Sequence, residues 1–233
     1  MARRAMAVLT LGLLAALPAT ARASSLELRI GAFFPRADSN LFRDDSDLYT
    51  VSKNDWTGVY GGAEFSFTPT DHVEVGFSLD GYGRRVDTNY RDYTRQDGRE
   101  IFQSLKLTLI PLGATVRFFP VDRYATVSPY VGIGGDLIFY KYEEFGDFID
   151  FQSPGPGLDI IGDHFRSDGA HPGVHVTGGL RFRIGHDFSI LGEGRYQWSE
   201  VTLGDDFRAQ PGQDALRLDM SGWSAVVGLS VRF

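Results

Sequence analysis

Long stretches of this chain alternate apolar and polar residues with a period of two. Its last thirteen residues, SGWSAVVGLSVRF, put Trp223, Ala225, Val227, Leu229, Val231 and Phe233 on one face. Ser224, Gly228, Ser230 and Arg232 fall on the other, with Val226 the one misfit. That period marks a β-strand lying between two unlike environments. Seven more stretches repeat it: SLELRIGAFF, TGVYGGAEFSF, HVEVGFSLDGY, IFQSLKLTLIPLGATVRFF, TVSPYVGIGGDLIFYKY, GVHVTGGLRFRI and FSILGEGRYQWS. The fourth of these changes phase. Leu105, Leu107 and Leu109 share one face, whereas Ile110, Leu112, Ala114, Val116 and Phe118 share the other. A proline cannot donate to a ladder, and one extra residue re-phases a strand, so the spacing predicts a β-bulge at Ile110–Pro111. Such a defect would weaken the wall and open a sideways route for an apolar solute.

Between the stretches, long polar connections alternate with short turns. Residues 35–56, 85–99, 142–172 and 200–218 are long and rich in Gly, Asp and Pro, while the turns near 69–71, 119–125 and 185–187 are short. An up-and-down meander sends alternate connections to opposite ends, so one end carries four long loops and the other three short turns. Outer-membrane barrels show this asymmetry. The pattern predicts an all-β fold, an eight-stranded antiparallel up-and-down transmembrane β-barrel that occupies residues 24–233 as one domain.

The first residues read differently. Arg3 and Arg4 precede an apolar run from Ala7 to Leu17, and Ala21-Arg22-Ala23 is a small-x-small cleavage site. Residues 1–23 are expected to be a secretory signal peptide, cut after Ala23. No later segment reaches the roughly 18 apolar residues a transmembrane helix needs. A chain that enters a membrane without such a helix must do so as a closed barrel. The absence of cysteine excludes disulfides and thiolate metal sites. The formal charge of −7 becomes −10 once Arg3, Arg4 and Arg22 are removed, which excludes a generic nucleic-acid surface.

A soluble lipocalin-like carrier would also have eight strands, with its apolar residues inside. The charges on the polar faces favour the inverse arrangement. Six acids (Glu27, Glu64, Glu74, Asp80, Asp136, Glu193) stand against seven bases (Arg29, Lys106, Arg117, Arg181, Arg183, Arg195, Arg232) in a chain that is strongly acidic overall. A confined lumen requires such a balance, because unpaired buried charge is costly. These residues are expected to pair across the lumen and to stabilise, plug or gate it. Trp56, Tyr82, Tyr142, Tyr196, Trp198 and Trp223 lie near strand ends and are candidates for an interfacial girdle, while Tyr60 and Tyr140 point inward by phase.

The segments LRIGAFFPR, TDHVEVGFSL, LTLIPLGATVRFFP, SPYVGIGGD and GLSVRF resemble the outer-membrane protein W family of small eight-stranded Gram-negative barrels. The resemblance implies an outer-membrane location, contact with outer-membrane lipid and lipopolysaccharide, and a narrow passage for small, partly hydrophobic solutes. It also implies a closing signal for the barrel-assembly machinery at Gly228, Leu229, Val231 and Phe233. The reading is a monomeric structural barrel or narrow passive pore. The alternatives are a surface-binding barrel acting through acidic loops, or a lipid A-modifying enzyme, for which His175 and Ser199 are the residues to test. The chain has neither G-x-S-x-G nor H-E-x-x-H. Asp163, His164, Asp168, His171 and His175 fit no metal-ligand spacing, and Asp44, Asp45 and Asp47 lack the rest of a calcium loop. No catalytic, metal or cofactor site is expected.

Overall fold

The computed structural model describes residues 24–122, 125–150, 159–204, 207 and 215–233; the leader read over residues 1–23 lies outside them. The strands are β1 (Ser24–Pro35), β2 (Gly58–Thr70), β3 (Val73–Thr94), β4 (Glu100–Phe118), β5 (Val127–Asp150), β6 (Asp159–Arg183), β7 (Phe188–Trp198), β8 (Glu200–Thr202), β9 (Arg217–Asp219) and β10 (Gly222–Arg232). Helix α1 (Asn40–Leu48) and a 3-10 turn at Lys53–Trp56 lie between β1 and β2. Eight strands close an antiparallel barrel in the order β1-β10-β7-β6-β5-β4-β3-β2, and β8 pairs with β9 outside it. Closure comes from β1 on β10, in register from Ser25–Arg232 to Pro35–Gly222.

Of the four long connections expected at one end, those after β1 and β7 are long, whereas the one after β3 shortens to residues 95–99, because the wall is taller than the pattern suggests. Strands β3 to β6 run 19 to 25 residues, where a tilted membrane strand needs about 9–11. Much of the polar sequence at 85–99 and 142–172 is therefore wall rather than loop. Out of lipid, a strand tolerates polar residues on its outer face, so composition alone does not separate it from a loop.

The barrel is apolar outside and charged inside over its lower part. Leu28, Ile30, Val131 and Val227 each expose about 60% of their surface (60%, 61%, 61% and 62%), whereas Arg117 and Glu74 expose none. Side chains that greasy, on every strand, require a lipid surround.

No bulge forms at Pro111. Pairing of β4 with β5 runs unbroken through Pro111–Ile138. On the other side the ladder resumes in the same register, from Leu79–Leu112 to Tyr82–Leu109, omitting only the pairs at Ile110 and Pro111. The side chains keep one phase: Leu105, Leu107, Leu109, Thr115 and Arg117 are all buried inside, and Ile110, Leu112, Val116 and Phe118 are all exposed outside. What changes at Ile110 is the chemistry of the two faces. Below it, lipid lies outside and charge inside. Above it, the outer face turns polar at Thr108 and Lys106 and the inner face turns apolar. The change follows one register contour, Gly83–Thr108–Lys141–Asp168, across four strands. The apparent phase slip is where the wall leaves the bilayer.

Above that contour the barrel has the core of a water-soluble protein. Ile101, Leu105, Leu107 and Tyr142 pack inward there, with Leu109 and Ile138 just beneath, each at most 1% exposed. Leu41 and Phe42 of α1 and Trp56 of the 3-10 turn close over them. Phe42 meets Trp56 edge-on at 5.4 Å, and Trp56 lies 6.3 Å from Tyr142. The helix leaves its polar side out and offers Leu41, Phe42 and Asp45 to the barrel.

Candidate functional site

Below the apolar core the lumen is filled by charged side chains from seven strands. Arg29 of β1 makes a bidentate contact with Asp80 of β3, at 2.8 and 2.5 Å. Its Nη1 also donates to Glu64 of β2 at 3.1 Å and to Glu193 of β7 at 3.4 Å. Arg117 of β4 donates to both oxygens of Glu64, to Glu74 of β3 at 3.2 Å and to Glu193 at 2.8 Å. Arg181 of β6 grips Glu74 with two bonds of 2.8 and 2.9 Å and lies 3.8 Å from Glu27 of β1. Arg195 of β7 stands 3.7 Å from Asp80 and Glu193, and 4.0 Å from Glu64 and Asp136. Bidentate, charge-assisted bonds of this kind are the strong ones, and here Glu64, Glu74, Asp80 and Glu193 each reach cations of two or more other strands.

Inward spacing brings these groups together. Every second residue points into a lumen barely wide enough for side chains, so the charges meet across it. The remaining strand, β10, turns Ser224, Gly228 and Ser230 inward, and a Cβ on Gly228 would stand 3.3 Å from the Arg29 Cβ. Small residues there leave room for the arginines. Arg117 also lies over the Tyr130 ring at 5.3 Å and Arg181 over Phe119 at 5.2 Å, and the Tyr130 hydroxyl donates to Glu193 at 3.0 Å.

Ten of the thirteen residues expected in the lumen are there: Glu27, Arg29, Glu64, Glu74, Asp80, Arg117, Asp136, Arg181, Glu193 and Arg195 are all at most 6% exposed. Three are not. Lys106 lies on the outer face above the lipid belt, 3.7 Å from Glu143. Its phase was read from the leucines around it, whose face is the inner one at that height. Arg183 and Arg232 sit at the turn end of the barrel beside His186 and Asp187, and Arg232 donates to the His186 carbonyl at 2.5 Å. Both have the inward phase but lie past the last lumen layer. Within this lumen layer, six buried carboxylates thus face four guanidiniums.

One imidazole joins them. His175 of β6 is fully buried, with Nδ1 2.6 Å from Asp136 and Nε2 2.9 Å from the Thr115 hydroxyl. Gly134 makes its place: a Cβ there would come within 2.5 Å of the ring. His175 shares the inward phase of Arg181 and Arg183 in the alternation of that stretch, a phase that by itself does not name its partners. The other members of that run split between faces of β6. His164 lies 3.5 Å from Glu143, whereas Ser199 contacts His171 at 3.4 Å and not His175. Among the described residues, no three metal-ligating side chains converge. Of the aromatics, Tyr196, Trp198 and Trp223 form an outer cluster with ring centres 4.6 and 5.0 Å apart, while Trp56, Tyr82 and Tyr142 belong to the inner core.

No family model matches the chain, and no curated protein does. Solved structures do. OprG from Pseudomonas aeruginosa shares 9% identity at a TM-score of 0.53, over 91% of this chain and 97% of that one. Neisserial surface protein A shares 16% identity at a TM-score of 0.47, over 91% and 97%. Outer membrane protein W of E. coli shares 16% at 0.40, over 91% and 98%. The first of these, with the closed eight-strand order and the apolar outer belt, gives the chain the fold of a small eight-stranded outer-membrane β-barrel.

Proposed function

We propose that the protein is an exported, monomeric outer-membrane barrel that is closed to solutes and whose role is structural and surface-presenting. The observation that carries this reading is the double seal. Arg29, Arg117, Glu64, Glu74 and Glu193 interlock across the lower lumen with side chains at most 1% exposed. The apolar core under α1 fills the upper lumen. Water and ions need a continuous polar path, and the two layers oppose it in different ways. No reacting group is assigned: Thr115, His175 and Asp136 form a hydrogen-bonded series, but all three are enclosed and no substrate carbonyl could reach the hydroxyl.

The test is conductance. The refolded chain in planar bilayers is expected to show no stepwise current, and Glu193→Gln is expected to stay silent because the upper core remains. Discrete openings of the unaltered protein would overturn the reading and restore the narrow pore. A second reading, surface binding, is favoured by the height of β3 to β6, which carry ordered wall beyond the bilayer. On either reading, Leu229 and Phe233 stand outward on the closing strand, exposed by 44% and 72%, where the assembly machinery would reach them.

A further inference from the structure

Directly above the lipid belt, the outer wall of β3 to β6 carries a tier of cations. Arg85 pairs in register with Lys106, Lys106 with Glu143, and Glu143 with Arg166. Lys141 stands one step lower, between Thr108 and Asp168. The side chains of Arg85, Lys106, Lys141 and Arg166 are exposed by 55%, 45%, 33% and 50%. Just below the tier the same strands present Ile110 and Phe139 outward, in register with Ala170, and Leu79, Leu112 and Leu137 in the next layer. Among the described residues the barrel wall on the other side stops lower: β7 ends at Trp198, level with Val174, and β2 pairs with β3 no higher than Tyr82.

We propose that this tier binds a membrane lipid that carries phosphates at both ends of its headgroup. The proposal rests on the outer-membrane reading above. An amphiphile whose chains lie on the apolar belt must place its headgroup at the tier. Four strands at about 4.8 Å spacing make the tier roughly 14 Å wide, more than one phosphate fills. The cations also fall into two pairs, Arg85 with Lys106 and Lys141 with Arg166. Glu143 lies between them and is unsuited to an anion at the centre. Three carboxylates already contact these cations: Asp87 at 2.8 Å from Arg85, Asp168 at 2.8 Å from Arg166, and Glu143 at 2.6 Å from Lys141. Exposed ion pairs are worth only about 0–1 kcal/mol, and arginine and lysine retain further donors for a phosphate. Their long stems reach toward a headgroup while covering apolar wall. The tier carries one positive charge net, on a chain of net −7.

The test uses the whole barrel in phosphatidylcholine nanodiscs, titrated with bis-phosphorylated lipid A, with its mono-phosphorylated form, and with inorganic phosphate. Binding is read by native mass spectrometry. Lipid A is expected to bind at least tenfold more tightly than the mono-phosphorylated form, and inorganic phosphate is not expected to compete. The variant R85Q/K106Q/K141Q/R166Q is expected to lose the preference, and R85Q/K106Q alone is expected to bind both lipids alike. All four residues point away from the interior, and heat-modifiable mobility on gels verifies folding of each variant. Equal lipid A binding by the unaltered and fourfold-substituted barrels would overturn the proposal, as would competition by inorganic phosphate. Failure of the unaltered chain to enter nanodiscs at all would instead strike the membrane reading.

Discussion

Raising the pH should loosen helix α1 from the mouth of the barrel. Asp45 of α1 is 5% exposed and points into the upper core, where the Tyr142 hydroxyl donates to it at 2.8 Å. Glu144, on the same inner face of β5, shares that tyrosine. The groups around the pair are Asp44 on the helix, Tyr49 after it, Tyr90 on β3 and Gln103 on β4, none of them cationic. Burial first, then repulsion from Glu144, holds the Asp45 carboxyl well above the usual carboxylate range. Burial pushes Glu144 up from 4.5 to about 7. When the helix lifts, both return toward ordinary values. The docked form therefore binds more protons, so docking is fully supported below about pH 4.5 and weakens as pH rises through 7. At about 1.4 kcal/mol per unit, the Glu144 shift alone costs about 3 kcal/mol of docking once the pH is well above 7. Proteolysis at Arg43 in nanodiscs checks this: cleavage should be slow at pH 5 and at least tenfold faster at pH 9, after correction for the protease's own pH profile. Asp45→Asn/Glu144→Gln should flatten the ratio by keeping the docked helix neutral. Equal rates at both pH values, or a pH dependence that survives the double substitution, would refute the argument.

The polarity contour makes a sharp two-residue prediction. Ala114→Arg, midway between Ile110 and Phe118 on the lipid face, should cost about 2–4 kcal/mol, whereas Thr108→Arg, above the belt, should cost about 0–1; urea titration in lipid vesicles measures both. Arg117→Met leaves Glu64, Glu74 and Glu193 short of a partner and should destabilise the barrel by about 3–5 kcal/mol, read in the same titration. Gly134→Val drives a side chain into the His175 ring and should cost about 1–3 kcal/mol, with loss of the Asp136 contact visible in the imidazole NMR signals. Leu107→Ala, in the upper core, should cost about 2–5 kcal/mol and speed cleavage at Arg43 while conductance stays absent.

Period-two alternation and the unequal connections were enough to determine eight strands, their antiparallel meander and a lipid-facing exterior, because inside and outside of a membrane barrel differ at every second residue. The same alternation assigned ten lumen charges by phase alone. It failed at Leu105–Leu109, since the pattern records which face is apolar and not which face is inner; above the bilayer the two exchange, and a change of solvent looks like a change of phase. Lys106 was misplaced for that reason. Only the closed tertiary structure decided which carboxylate meets which guanidinium, because partners such as Arg29 and Glu193 are 164 residues apart in sequence. Closure likewise turned a polar stretch around Asp45 into a buried latch, since burial depends on what the ring of strands encloses, and no local window of sequence contains that ring.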